Sequence, residues 1–383
     1  MNEKTSQKTG KKTSQGAGRK KPRRGASADA GVPPAAPAAS HGDMTLASVR
    51  IESYSLELRD EDGFVGDQAS QTAFRELLER WRRRKRKRNG KDPLGKAASA
   101  DISKTELDVA MRGKTASEAT DVVHGAIEEF AVELVHVIRR YLRQGSWRGV
   151  QRIVIGGGFP GSGVGERAVL QAGAMLHNEG STVELARLCH EVDDGGLIGW
   201  VHLVPPEVLA AHDAVLAVDI GGTNVRCGIV KPRIGKAADL SHAKVVKRVK
   251  WRHADDKPSR KALVRGIVGH LHDLMRHARR KGIGLAPFVG IACPGLIRED
   301  GSIARGAQNL PGDWNSSKFH LPTEIAKALG PIGKQLPEVR LHNDAVVQGL
   351  SELPFMQDVK HWGVLTIGTG LGNVSFTNRH RRR

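Results

Sequence analysis

The stretch from Val215 to Val230, VLAVDIGGTNVRCGIV, constrains this chain more than any other. Two apolar runs flank a turn that carries no side chains at Gly221 and Gly222, so the segment predicts strand, tight turn and strand. Asp219 arrives at the end of the first strand, and Thr223 and Asn224 follow the glycines. A turn without Cβ atoms lets an anion come close. Its N–H groups and the Thr223 hydroxyl could face a phosphate while Asp219 holds a magnesium ion or its water. D-I-G-G is also an ordinary hairpin turn, and this stretch alone does not separate the two readings.

The same logic recurs from Val364 to Asn373, where an apolar strand meets Gly368-Thr369-Gly370 and a second strand begins around Gly372. Two such turns suggest two related half-domains whose turns face each other across a cleft, each offering N–H and hydroxyl groups to a polyphosphate. Between them, in Leu341-His-Asn343-Asp344, a strand ends and a helix begins. An Asp at such a strand end can take the proton of an attacking hydroxyl, the role of base in phosphoryl transfer. Asn and Asp here also read as a helix N-cap.

At 383 residues with 39% hydrophobic content, the chain can bury two sizeable cores. The formal charge of +19 would point to nucleic acid or an anionic surface if it were evenly spread. Much of it sits instead in the first residues (Lys11 to Arg24), in the run Arg80 to Arg88 and in Arg379 to Arg383. Such runs read as solvated tails and helix faces, able to support weak, non-specific nucleic-acid binding. Cys189, Cys227 and Cys293 are odd in number and far apart, which excludes a disulfide framework or a C-x-x-C zinc site and fits a reducing cytoplasm. No apolar run has the length to span a bilayer and no signal-peptide core is present, so the expectation is a soluble cytoplasmic protein without a membrane partner.

In order along the chain, residues 1–44 read as a disordered basic tail, because almost no large apolar side chain offsets the entropy of ordering them. Residues 49–58 alternate as a strand or hairpin ending in a D-E-D-G turn, and Gln71 to Arg88 shows one helical face through Phe74, Leu77, Leu78 and Trp81. Gly90-x-x-x-x-Gly95-Lys96 has the spacing of a phosphate loop. Ala97 stands where a magnesium-holding hydroxyl is needed, so that reading is rejected. A capping box at Thr115 to Glu118 starts a long amphipathic helix to Tyr141. The strand from Arg152 then opens into Gly156, Gly157 and Gly158, which reads as a nucleotide-facing loop. Later come a helix near 260–280, a strand around Val289 and a loop over 306–314.

Five segments taken together, D-I-G-G-T-N at 219–224, C-P-G at 293–295, N-L-P-G at 309–312, N-D-A at 343–345 and I-G-T-G-L-G at 367–372, resemble the ROK family of sugar kinases and repressors. The resemblance covers residues 215–377 and implies an α/β fold of two ribonuclease-H-like half-domains of actin and hexokinase type around an ATP cleft. It implies phosphate loops at Gly221, Gly222, Thr223 and Asn224 and at Gly368, Thr369, Gly370 and Gly372. Sugar contacts are implied at Asn309, Asn343 and Asp344, with Asp344 as base.

The first half resembles the same family out of order. Its long helix, the Gly156 to Gly158 loop and Gly196-Leu-Ile-Gly199 look like the adenosine-binding segment and closing helix, which in the family follow the second phosphate loop. A circular permutation accounts for this, giving residues 45–213 as the adenosine-side segment, 214–377 as the segment with both phosphate loops and 378–383 as a basic tail. A swapped homodimer is the alternative. Residues 41–113 then correspond to the stretch where the family places a sugar-binding His, a sugar-binding Glu and a Cys-rich zinc site. The cysteines are absent, so no structural zinc is expected. His41 could stand for the histidine or be a tail residue, and Asp67 could replace the glutamate or cap the next helix. The resulting expectation is an ATP- and Mg2+-dependent sugar kinase, glucokinase-like and acting on a hexose or amino sugar. Its rival is a catalytically inactive sugar or nucleotide sensor.

Overall fold

The computed structural model describes residues 40–61, 63–113 and 117–379, all within a unit that begins at Ala38. Labelled in chain order, its main strands are β1 (Val49–Tyr54), β2 (Arg152–Gly156), β3 (Glu184–Arg187), β4 (Ala214–Ile220), β5 (Val225–Lys231), β6 (Lys244–Trp251), β7 (Leu285–Cys293), β8 (Glu338–Asn343), β9 (His361–Ile367) and β10 (Leu371–Asn378). The main helices are α1 (Gln71–Asn89), α2 (Lys104–Met111), α3 (Glu118–Leu142), α4 (Gly163–Asn178), α5 (Gly195–Ile198), α6 (Arg260–Arg280), α7 (Leu321–Leu329) and α8 (Asp344–Glu352). This is a mixed α/β protein.

The strands form two five-stranded sheets. In the first, β4, β5 and β6 make an antiparallel meander, while β7 and then β8 add beside β4 in parallel. The second sheet has the spatial order β1-β10-β9-β2-β3. It repeats the first pattern strand for strand when read β9, β10, β1, β2, β3, with an antiparallel meander followed by two parallel additions. That order runs from the end of the described chain back to its beginning. At the junction Asn378 pairs with Val49, and the Arg379 N–H donates to the Ser48 carbonyl at 2.9 Å. The expected segment 214–377 is thus divided: β9 and β10 lie in the sheet built with residues 49–187.

Apolar periodicity explains how the layers stack. α6 shows Leu263, Ile267, Leu271 and Leu274 to the first sheet, and α1 and α3 cover the second with Phe74, Leu78, Val123, Phe130 and Leu134. Between the sheets lie α5, the following turn with Trp200, and α8, so that Leu197, Val347 and Leu350 share one core with residues of both sheets. Ser70 caps α1 by accepting from the Ala73 N–H, and Gly90 ends it at φ 70. Ser117 caps α3; the expected cap residue Thr115 lies outside the described residues.

Two expectations change in this region. Residues 1–39 of the expected tail lie outside the described residues, but residues 41–44 dock on the fold: Gly42 N–H donates to Leu341 O at 3.2 Å and Met44 O accepts from Ile51 N–H at 2.8 Å. The basic run of α1 is also more than a solvated face. Arg82 is buried and its guanidinium donates to both Asp92 carboxylate oxygens at 3.1 Å, to Ser99 Oγ at 2.8 Å and to the carbonyls of Gly95 and Ala97 at 3.0 and 2.8 Å. One planar fork of donors therefore shapes the loop over 90–99, the stretch whose spacing imitates a phosphate loop. No described helix is long and apolar enough to cross a membrane.

Candidate active site

A cleft of about 600 Å³ opens between the two sheets. Each sheet contributes the turn after its first strand, as equal strand orders require. The β4–β5 turn closes with Gly221 N–H donating to Asn224 O at 2.9 Å, and it is braced from outside by His253 Nε2 against the Gly221 carbonyl at 2.8 Å. The β9–β10 turn closes with Gly368 N–H to Gly370 O at 2.9 Å. Its braces come from the start of α1: Gln71 N–H donates to Gly368 O at 2.8 Å and Thr72 Oγ1 to Thr369 O at 3.1 Å. The two tips meet, with Thr223 Oγ1 and Thr369 Oγ1 3.0 Å apart across 146 residues of sequence.

Below the tips stand the carboxylates. Asp219 is the penultimate residue of β4 and accepts from Arg226 Nη1 at 3.0 Å; Arg226 Nε in turn donates to Asp193 at 2.5 Å, and Lys250 Nζ donates to the same Asp193 at 2.8 Å. Burial pushes the Asp219 pKa up, against the pull of Arg226. Asp344 begins α8, one residue beyond β8, and lines the cleft. Burial first, and the nearby Asp219 second, push its carboxyl up to about 7, so near neutral pH it exchanges its proton readily.

The cleft draws in most of the residues expected from sequence. Asp219, Gly221, Gly222, Thr223, Asn224, Gly368, Thr369, Gly370, Gly372, Gly157, Gly158, Asn309, Asp67 and Asp344 all line it. Asp67 sits on a short turn (Val65–Ala69) and is not the helix cap, because Ser70 fills that role. Three expected residues lie elsewhere. Gly156 packs under Gln348, where a Cβ would strike the amide, so its small size serves packing rather than a nucleotide. Asn343 is buried as the N-cap of α8, and its amide donates to Ser55 Oγ and Gly295 O, both at 3.0 Å. His41 accepts the Leu341 N–H on Nδ1 at 3.0 Å and leans on His320 and Gly301, outside the cleft lining. The neighbouring Gly42 and Asp43 dock against β8, through Leu341 O and His342 Nε2.

Sequence reasoning missed Arg226, Lys250, Asp193 and Lys104, all of which line the cleft. Arg226 carried a signal, since it stands two residues beyond Asn224, near the start of β5. The donor set around Asp219 fits magnesium. A hard cation that keeps several waters and phosphate oxygens needs one or two protein carboxylates. Asp219 offers one beside the phosphate turn, and among the described residues no cluster of three or more His, Cys, Asp or Glu forms a self-sufficient metal site.

Two like-ordered sheets, paired glycine–threonine turns and a strand-end aspartate meet at one cleft. No family model matches the chain. It is similar to a glucokinase from Thermotoga maritima, 29% identical over 166 residues, a match covering 43% of this chain and 44% of that protein. The chain thus matches under half the length of this relative. Among solved structures it is similar to a ROK family glucokinase from Streptomyces griseus in complex with glucose and AMPPNP, at 25% identity and TM-score 0.31 over 44% of this chain and 46% of that one. A Cytophaga hutchinsonii protein assigned as a sugar kinase aligns over 42% of this chain and 47% of its own at 21% identity and TM-score 0.32. The resemblance read from the five segments is matched by the Thermotoga maritima relative, described as a glucokinase.

Proposed function

We propose that this protein is an ATP-dependent sugar kinase of permuted ROK type. The observation that carries the reading is the meeting of the two glycine–threonine turns, from different sheets, at the mouth of a cleft that also holds Asp344. In this reading the turns hold the polyphosphate through backbone N–H groups and the Thr223 and Thr369 hydroxyls, with the nucleoside on the side of Gly157 and Gly158. The sugar lies toward Asn309, Asp67 and Asp344. Asp344 takes the proton of one hydroxyl as that oxygen forms a bond to the γ-phosphorus, and the bond from phosphorus to the bridging oxygen breaks to release ADP. Magnesium held with the phosphates near Asp219 would neutralise charge on the transferred group. Arg226 keeps the Asp219 carboxylate in place and offsets its charge.

The permutation is supported by the strand order of the second sheet and by the pairing of Val49 with Asn378. Residues 45–213 supply three of its strands, β1, β2 and β3, and its covering helices. The position of His41 favours a second reading, a sugar or nucleotide sensor without turnover, because among the described residues no histidine lines the cleft. ADP release from Mg-ATP with a panel of hexoses and N-acetylhexosamines, a control without sugar and the Asp344→Asn variant decides between them. Sugar-dependent turnover lost in the variant is the expected result; ATP binding without turnover on any sugar would select the sensor.

A further inference from the structure

Lys104 is among the cleft cations that have no part in the chemistry above. Lys104 opens α2, and that helix grips the glycine loop at two points: Asp108 accepts from the N–H groups of Gly163 at 3.1 Å and Val164 at 2.8 Å, and Lys104 Nζ donates to the Gly158 carbonyl. An ammonium has three donors, and a single carbonyl engages one of them. Among the described residues no carboxylate is ion-paired with Lys104. The charges that act on it include the cations Arg75, Lys250 and Arg226 and the anion Asp193, and Asp193 is already held by Arg226 and Lys250. Burial, helped by these cations, pulls the Lys104 pKa below its ordinary value. Collecting like charges in a partly dry cleft is unfavourable unless an anion joins them.

We propose that Lys104 is a phosphate-binding residue, reaching from the glycine loop to the polyphosphate of a bound nucleoside di- or triphosphate. The inference rests on the kinase reading and adds to it a cation that belongs to α2, within residues 41–113, where the chain departs from the family it resembles. The loop carbonyl orients the ammonium and leaves two N–H bonds for phosphate oxygens. A charge-assisted contact of this kind is worth about tenfold or more in affinity.

The test is calorimetric binding of ADP and of adenosine to the full chain, as wild type, Lys104→Met and Lys104→Arg. Lys104→Met is expected to weaken ADP by about tenfold or more while leaving adenosine unchanged, and Lys104→Arg to recover most of the loss. ADP bound equally by wild type and Lys104→Met would overturn the assignment alone. Equal losses of ADP and adenosine would also overturn it, since Lys104 would then act by shaping the loop. Wild-type protein that binds neither would remove the kinase reading and this inference together.

Discussion

The two turns that meet at the cleft share a backbone plan and differ in charge. The β4–β5 turn carries Asp219 at its strand end, with Arg226 and Asp193 behind it, whereas the β9–β10 turn has no ionisable residue from Ile367 to Asn373. Their supports differ as well: the first is braced by His253 from the loop after β6, the second by the first residues of α1 and by the backbone of the Gly157 loop. The same supersecondary unit occurs once with charge and once without; in the proposed reading the charged half would manage protons and metal and the neutral half would cradle phosphate. A substitution on one side should therefore alter chemistry, and one on the other should alter affinity.

The largest break is Asp344→Asn, on the charged side. Turnover should fall by about 10²- to 10⁴-fold with ATP binding retained. Wild-type kcat/KM should rise with pH through an apparent pKa near 7, the value to which burial pushes Asp344. The stability consequence has a definite sign. The folded carboxyl keeps its proton up to about 7 while the unfolded one loses it near the ordinary value of 3.8, so stability falls as pH rises from about 4 to 7 and then levels. Asp344→Asn should flatten that slope in urea titrations at stepped pH; an unchanged slope would show that Asp344 is solvated.

Arg226→Met comes next. It leaves Asp219 and Asp193 without their shared cation, a loss on the order of 3 to 5 kcal/mol for a broken buried pair. The uncompensated Asp219 should also move the kcat/KM profile to higher pH, which a purely structural arginine would not do. On the neutral side, Gly157→Ala tests the support. Gly157 has φ +89 and an added Cβ would stand 2.5 Å from the Ile367 carbonyl oxygen. The strain should cost about 1 to 3 kcal/mol in a thermal melt and raise the KM for ATP while the pH profile stays in place. Smallest is Thr369→Val, which removes the contact with Thr223 and should weaken ATP by roughly tenfold at most, with kcat nearly constant. A large kcat effect there would erase the division between the halves.

What the sequence made legible follows the range of the forces involved. The turns at 219–224 and 367–372 were readable because glycine, threonine and the flanking apolar runs act within a few residues, and Gln71 to Arg88 was readable because its apolar face has helical spacing. Asp344 was found from its place at a strand end. Lys104, Asp193 and the Arg82 knot were not readable: each depends on a loop folding back from ten or more residues away, and neither periodicity nor turn chemistry encodes the return. His41 and Asn343 misled for the opposite reason. Their neighbours matched a pattern, but the Leu341 N–H of β8 engages His41, and burial with helix capping engages Asn343.

The pairing of Val49 with Asn378 has a consequence for how the molecule comes into being. Residues 152–187 leave the ribosome well before β9 and β10, the central strands on which the second sheet is built. The first sheet, contiguous from 214 to 343, can close while synthesis continues, but β2 must wait with an open edge for β9, some two hundred residues downstream. Long-range pairing of this kind is slow and leaves apolar strand exposed in the interval. Nascent chains should therefore gain protease resistance in two steps, first over 214–343 and only once β9 and β10 have emerged over 49–187, and the interval between the steps is when the chain most needs a chaperone.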